Sequence, residues 1–252
     1  MSSAAPFGLV QSPFADRRDD EPFFFPGEQY LRAFEFMGAV LWTRAHVGVL
    51  IAEQGCGKSL LIRRFLAQLD DRVLCAEVHR QDLSPREFLD DILRQFGVEL
   101  EESDRTDRRR LLERFLNHQL NLGRICLVIV ENPQTMPPLV LDELKSLAEI
   151  SVDGARPLKL LLVGQPLLSH VVDSPRMGDL MRSGAIRFSL APLSEDQVAA
   201  YVAHRLRAAG APDPDQLMPY TLMSRIHLHA GGVPGVVNSA KATAKVVLED
   251  FT

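Results

Sequence analysis

The sequence predicts an α/β protein: a five-stranded parallel sheet sandwiched by helices, followed by a small all-helical domain. Three observations carry this. Short continuous apolar runs alternate with helical segments, as in a parallel sheet covered on both faces. The first run opens into a glycine-rich turn and a helix. From Pro192 onward the apolar runs stop and only helical spacing remains.

The elements follow in order. Residues 1–26 read as an N-terminal arm, broken by Pro6, Gly8, Pro13, Pro22 and Pro26, with a mixed charge run from Asp16 to Glu21. Its Phe7, Phe14 and Phe23 to Phe25 are costly to leave in water, so the arm is expected to lie along the globule or along a neighbouring subunit. Residues 27–191 form the α/β domain and 192–252 the helical one. Gln29 to Leu41 has helical spacing, and Val47 to Glu53 reads as a buried strand. A helix from Ser59 to Leu69 and a strand from Arg72 to His79 come next. Ser84 caps a helix with Pro85 at its first position, and this helix ends at Gly97. Asp107 to Leu122 is a charged amphipathic helix, and Ile125 to Val130 a continuous apolar strand. Pro138 to Ile150 reads as helix, Lys159 to Gln165 and Ile186 to Leu190 as strands. Ser194 and Gln197 form a capping box for a helix running to Ala209, with further helical segments at Tyr220 to Ala230 and Gly235 to Asp250.

Composition excludes several classes. A formal net charge of −5 argues against coating nucleic acid by bulk charge. Arg108 to Arg110 is basic, but Asp104, Asp107 and Glu113 flank it, so it reads as a solvated helix face. No apolar run approaches the roughly 18 residues of a membrane span. The N-terminus lacks the pattern of a signal peptide. Cys56, Cys75 and Cys126 are too scattered for a disulfide framework or a zinc site, which points to a reduced, cytoplasmic setting.

The strongest motif runs from Ala52 to Ser59, directly after one strand and before one helix. It is the phosphate-binding loop pattern with Ala52 in place of the first glycine. Gly55 and Gly57 let backbone N–H groups turn inward around phosphates, and the helix start adds partial positive charge. Gln54, Gly55, Cys56, Gly57, Lys58, Ser59 and Leu60 are the expected nucleotide contacts. Lys58 reaches the β- and γ-phosphates and Ser59 ligates magnesium. A second strand must supply an acid for that metal. Ile125 to Val130 ends in Glu131 and Asn132, where most such ATPases have Asp and Glu. Glu131 is then the metal-side acid, and Asn132 stands where a water-activating carboxylate is expected but cannot accept a proton. A competing pair, Asp142 and Glu143, follows Pro137 and Pro138, which favour a helix start over a central strand. Gln165, after the strand from Lys159, is placed to contact the γ-phosphate or the attacking water.

With these motifs in hand, the chain resembles the ExeA/GspA and MshM-type AAA+ ATPases of bacterial secretion and pilus machinery, over roughly residues 7 to 245. The loop ending Gly55 to Ser59, the tetrad Glu131 to Gln134, Leu162 to Pro166, Pro192 to Ser194, and Gly231 to Gly235 followed by Asn238 carry the resemblance. It implies ATP with Mg2+ between a sheet domain and a helical lid, ring or filament assembly, and an arginine reaching the next subunit's γ-phosphate. It also implies a protein partner in an envelope or secretion machine, and a cytoplasmic location at the inner face of the inner membrane through such a partner. The family's lid arginine, which senses the γ-phosphate, falls on Gly235, so the resemblance implies Gly235 as the lid-side nucleotide-binding position; its trans arginine falls nearest Arg182, with Arg176 and Arg187 as alternatives. A lost general base costs about 10²–10⁴ in rate, whereas the phosphate cradle is intact. The leading expectation is therefore a nucleotide-binding assembly module with weak or no hydrolysis. The alternatives are an active ATP-hydrolysing motor and a DNA-associated regulator of the TniB and TnsC kind, the latter disfavoured by the acidic balance. Familiar family members continue into a membrane span and a wall-binding segment, and three readings stay open for this sequence: a stand-alone protein, a domain of a longer one, or a subunit whose partner supplies the anchor.

Overall fold

The computed structural model describes residues 10, 12–14, 21–100, 107–152, 154–182, 184–213 and 220–239. The chain groups into two compact units. One, the sheet unit, takes residues 33–52 and 64–189; the other, the loop unit, takes residues 1–32, 53–63 and 190–252.

The sheet is five-stranded and all-parallel. Its strands are β1 (Val47–Ala52), β2 (Val73–Val78), β3 (Ile125–Glu131), β4 (Leu158–Gly164) and β5 (Ile186–Leu190), in the order β2-β3-β4-β1-β5. Every residue of β1 and β4 is buried, which is why they read as continuous apolar runs rather than alternating ones. One face packs on α3 (Pro85–Gln95), α4 (Arg108–Asn121) and α5 (Pro138–Ala148), through Phe88, Ile92, Leu112, Leu116, Val140 and Leu144. The other is covered by α1 (Glu28–Trp42), whose Phe36 and Val40 press on Gly48 of β1 so closely that a Cβ there would collide. At the β2 edge, the Gln95 side chain donates to Glu77 O and accepts from Glu77 N–H (3.0 and 2.8 Å), occupying groups an edge strand otherwise presents.

Between β1 and β2 runs α2 (Lys58–Leu66). Two short helices, α6 (Leu167–Val172) and α7 (Gly178–Arg182), follow β4 and went unpredicted because neither spans enough turns to show a period. Ser194 closes the expected capping box with Gln197, and Ser84, expected as a cap, also forms a box with Glu87. In the loop unit, α8 (Glu195–Ala208), α9 (Tyr220–Ala230) and α10 (Pro234–Val237) follow β5. The segment expected to be helical to Asp250 is described only through Ser239, and Phe7 also lies outside the described residues. The described part of the arm packs within its own unit: Val10 N–H donates to Ala209 O (2.9 Å), and Arg205 donates to Pro13 O (2.6 Å) beneath the Phe23 ring.

The expected solvated face at Arg108 to Arg110 needs correction. Arg108 is 4% exposed and donates Nε to Asp90 at 2.5 Å, joining α4 to α3. Arg109 holds both oxygens of Glu143, and only Arg110, near Asp107, lies open. Three basic groups sit together at the starting ends of β1 and β4. Lys159 donates to Thr43 O and Ala45 O (2.9 and 2.7 Å), just past the end of α1, and Arg156 donates to Ala148 O at the end of α5 (3.0 Å) and to His46 Nε2. Helix ends carry partial negative charge, which gives the cations Lys159 and Arg156 a counterpart. His46 must stay neutral: burial first, then Arg156 and Lys159, bring its pKa down to about 4.

Candidate functional site

The glycine-rich segment has the geometry of an anion cradle. The chain leaves β1 at Ala52, and Cys56 N–H donates to Glu53 O (3.3 Å) to close a turn. Gly55 and Gly57 have φ of +88° and +90°, a region costly for residues with a Cβ. Positive φ alternating with other backbone is the kind of conformation from which anion-binding nests are built. At Lys58 α2 begins, with its first helical bond from Leu61 N–H to Gly57 O (3.0 Å). The start of α2 carries the positive end of the helix dipole. Lys58 Nζ donates to Glu53 O at 2.9 Å, so the ammonium lies across the loop. Gln54, Gly55 and Ser59 are exposed, Gly57, Lys58 and Leu60 partly so. Cys56 is buried, and burial pushes its thiol pKa up, which suits a packing residue better than a reactive one.

An aromatic cluster in the same unit supports the loop from behind. Tyr30 Oη donates to Cys56 O at 3.3 Å, and burial pushes the Tyr30 phenol pKa well up. Phe24 and Phe25 meet Tyr30 edge-on, and Phe25 meets Tyr201 on α8 at 5.6 Å between ring centres. Tyr201 Oη in turn donates to Asn238 Oδ1 (2.8 Å). Sequence reasoning expected the phenylalanines to pack but missed Tyr30, whose place directly behind them was the available signal. Gly235, on α10, donates its N–H to Gly55 O at 2.9 Å.

In the sheet unit, β3 and β4 end side by side, with Glu131 opposite Val163. Glu131 is half-buried, and its carboxylate lies 3.7 Å from the His79 ring, a neighbour the sequence did not suggest. Asn132 follows with φ 52° and ψ 48°, left-handed backbone, and its N–H donates to Val163 O (2.7 Å). Its carbonyl receives Thr135 N–H and Oγ1, and its side-chain oxygen receives Gln134 Nε2 (3.2 Å). The Gln134 amide lies against Gly164, where a Cβ would sit 2.4 Å from its Oε1. Gln165, directly after β4, is exposed and its carbonyl receives Leu168 N–H. The competing acidic pair lies within α5, where Asp142 bonds Arg176 and Glu143 bonds Arg109. Each arginine considered for a role in trans pairs with an aspartate here: Arg176 with Asp142, Arg182 with Asp179, Arg187 with Asp173.

The strand order, with a phosphate-type loop between β1 and α2, defines an NTPase fold of the AAA+ kind. The family described as AAA domain matches residues 43–172, a little over half of the chain, and the chain belongs to that family. It is similar to General secretion pathway protein A from Aeromonas hydrophila, with 28% identity over 235 residues. The match covers 92% of this chain but 42% of that protein, so the chain spans about two fifths of its relative's length. The resemblance read from the motifs therefore stands: this is an AAA+ protein of the ExeA/GspA type. Among solved structures, Cdc6p from Pyrobaculum aerophilum aligns with a TM-score of 0.65 at 16% identity, over 96% of this chain and 68% of that one. The Aeropyrum pernix ORC2 protein, in its ADPNP-ADP complexes, aligns with a TM-score of 0.62 at 15% identity, over 95% of this chain and 72% of that one. At such identities the likeness is one of fold.

Proposed function

We propose that the chain is an ATP-binding AAA+ module that assembles with copies of itself when nucleotide is bound, supports a bacterial envelope, secretion or pilus machine, and hydrolyses ATP slowly or not at all. The observation that carries this is the contrast between two places. The cradle of Gly55, Gly57 and Lys58 has its left-handed glycines and its helix start. The position after Glu131 instead holds an amide, fixed by Gln134 and unable to take a proton from water.

Mg2+ is the metal proposed to accompany the nucleotide. The Ser59 hydroxyl and the Glu131 carboxylate are hard oxygen ligands of the kind that ion takes, and they are the residues assigned to hold it. When bound, the ion would neutralise charge on the phosphates. Lys58 would bind the β- and γ-phosphates, and Gln165 would contact the terminal phosphate or a nearby water. Arg182 is the best candidate to reach a neighbouring copy. Its partner Asp179 is also held by Lys145 at 2.7 Å, so Arg182 can leave without orphaning that carboxylate. Arg176 and Arg187 have no such substitute at Asp142 and Asp173 among the bonds described.

The DNA-associated alternative loses support from two other ion pairs. Arg108 and Arg109 are committed to Asp90 and Glu143 and do not form a phosphate-binding patch.

Light scattering with and without Mg-ATP tests the proposal. The expected result is a larger particle with Mg-ATP for the wild type, and none for Lys58→Ala or Arg182→Ala. A wild type whose mass is the same in both conditions would refute the assembly reading.

A further inference from the structure

The segment from Gly231 to Ser239 carries no charged residue, so its dealings with the loop are steric and through the main chain. Three contacts within the loop unit fix it. Leu193 N–H donates to Gly232 O at 2.8 Å, and Tyr201 Oη donates to Asn238 Oδ1 at 2.8 Å. Between them, Gly235 N–H donates to Gly55 O at 2.9 Å. A Cβ on Gly235 would lie 3.0 Å from Gly55 Cα and 3.1 Å from Gly55 O. Both are backbone atoms, which cannot rotate aside as a side chain can. The loop side is equally constrained: Gly55 has φ of +88°, and a Cβ on it would meet Val233 Cγ1 at 2.9 Å.

We propose that Gly55 and Gly235 form a main-chain latch that ties α10 to the phosphate loop and sets how fast nucleotide leaves it, without reading the terminal phosphate. The proposal rests on the nucleotide-binding reading above, and it changes the meaning of Gly235. From the motif alone, Gly235 is an arginine lost. In the structure it is the residue whose missing side chain lets two backbones touch. Any side chain there wedges the latch, arginine included. A segment can favour one ligand over another only through contacts that differ between them. The Gly235 N–H is already bonded to Gly55 O, and the segment has no charged side chain to offer a γ-phosphate, so opening the latch is expected to speed the release of ATP and ADP alike.

The test uses the full chain as wild type, Gly235→Val, the milder Gly235→Ala, and Val236→Ala as a control on the same helix. Amide hydrogen exchange without nucleotide is expected to show residues 53–57 and 231–239 protected together in the wild type. Both should exchange about tenfold faster in Gly235→Val, with a smaller change in the same direction for Gly235→Ala. Exchange in α8 stays unchanged, which shows that the fold survives. Fluorescent ADP and ATP analogues are expected to leave Gly235→Val faster by the same factor, about tenfold. The latch is overturned if the glycine variants leave exchange in both segments as in the wild type. Its indifference to the terminal phosphate is overturned if release of the ATP analogue alone is accelerated. If the wild type binds neither analogue, the nucleotide reading falls and the gating role with it, while the exchange data still decide whether the latch exists.

Discussion

Asn132 is the only non-glycine residue with positive φ among those described, and asparagine is among the few side chains that tolerate it. Its identity thus has a backbone reason as well as a chemical one. Asn132→Glu is expected to raise ATP turnover at least tenfold, since a general base contributes about 10²–10⁴. The same change should destabilise the protein by about 1–2 kcal/mol, the cost of left-handed backbone, lowering the melting temperature by several degrees. Turnover unchanged in a folded variant would mean the missing base does not limit the rate. His46 gives a second test. Its pKa is about 4 in the folded protein and about 6.5 unfolded, so the unfolded chain takes up the proton first. Its effect is absent above about pH 6.5, grows as pH falls to about 4, and is constant below, reaching about 3 kcal/mol. Urea midpoints between pH 7 and 4.5 should fall for the wild type and fall less for His46→Gln. The motifs made Asn132 legible as a chemical departure, but the left-handed turn that favours it depends on the Val163 and Thr135 bonds, which no local pattern announces.

The strands and capped helices of this chain were legible because they obey local rules: buried apolar runs, serine caps, proline at a first turn. What was not legible is what joins them. Arg108 reads as part of a solvated helix face, yet with Asp90 of α3 it forms a buried ion pair that joins α3 to α4. Removing Arg108 leaves the buried Asp90 carboxylate with the more distant Arg86, at 3.9 Å on its own helix, so Arg108→Ala is expected to cost about 2–4 kcal/mol, somewhat less than a wholly uncompensated buried charge. The double change Asp90→Leu with Arg108→Met should recover most of that, because replacing both charges with apolar groups removes the desolvation penalty. Chemical denaturation of the three variants measures it. Equal losses for the single and double changes would show that the pair matters for something other than its charge. The loop followed local rules as well, but its contact with Gly235 lies 180 residues away along the chain, beyond the reach of any spacing argument.

At the scale of the molecule, an α/β fold carries a glycine-rich loop between β1 and α2, the pair Glu131 and Asn132 at the end of β3, and Gly235 on α10. Fold and family are shown by the AAA domain match and by the sheet. The account built on them is that this protein holds ATP and spends it slowly. The most direct test is to incubate the protein with Mg-ATP, remove free nucleotide, and identify what remains bound over hours, with Lys58→Ala as the control. The account predicts that ATP persists on the wild type and is absent from the control. Rapid conversion to ADP on the wild type alone would contradict it and make the protein a working motor.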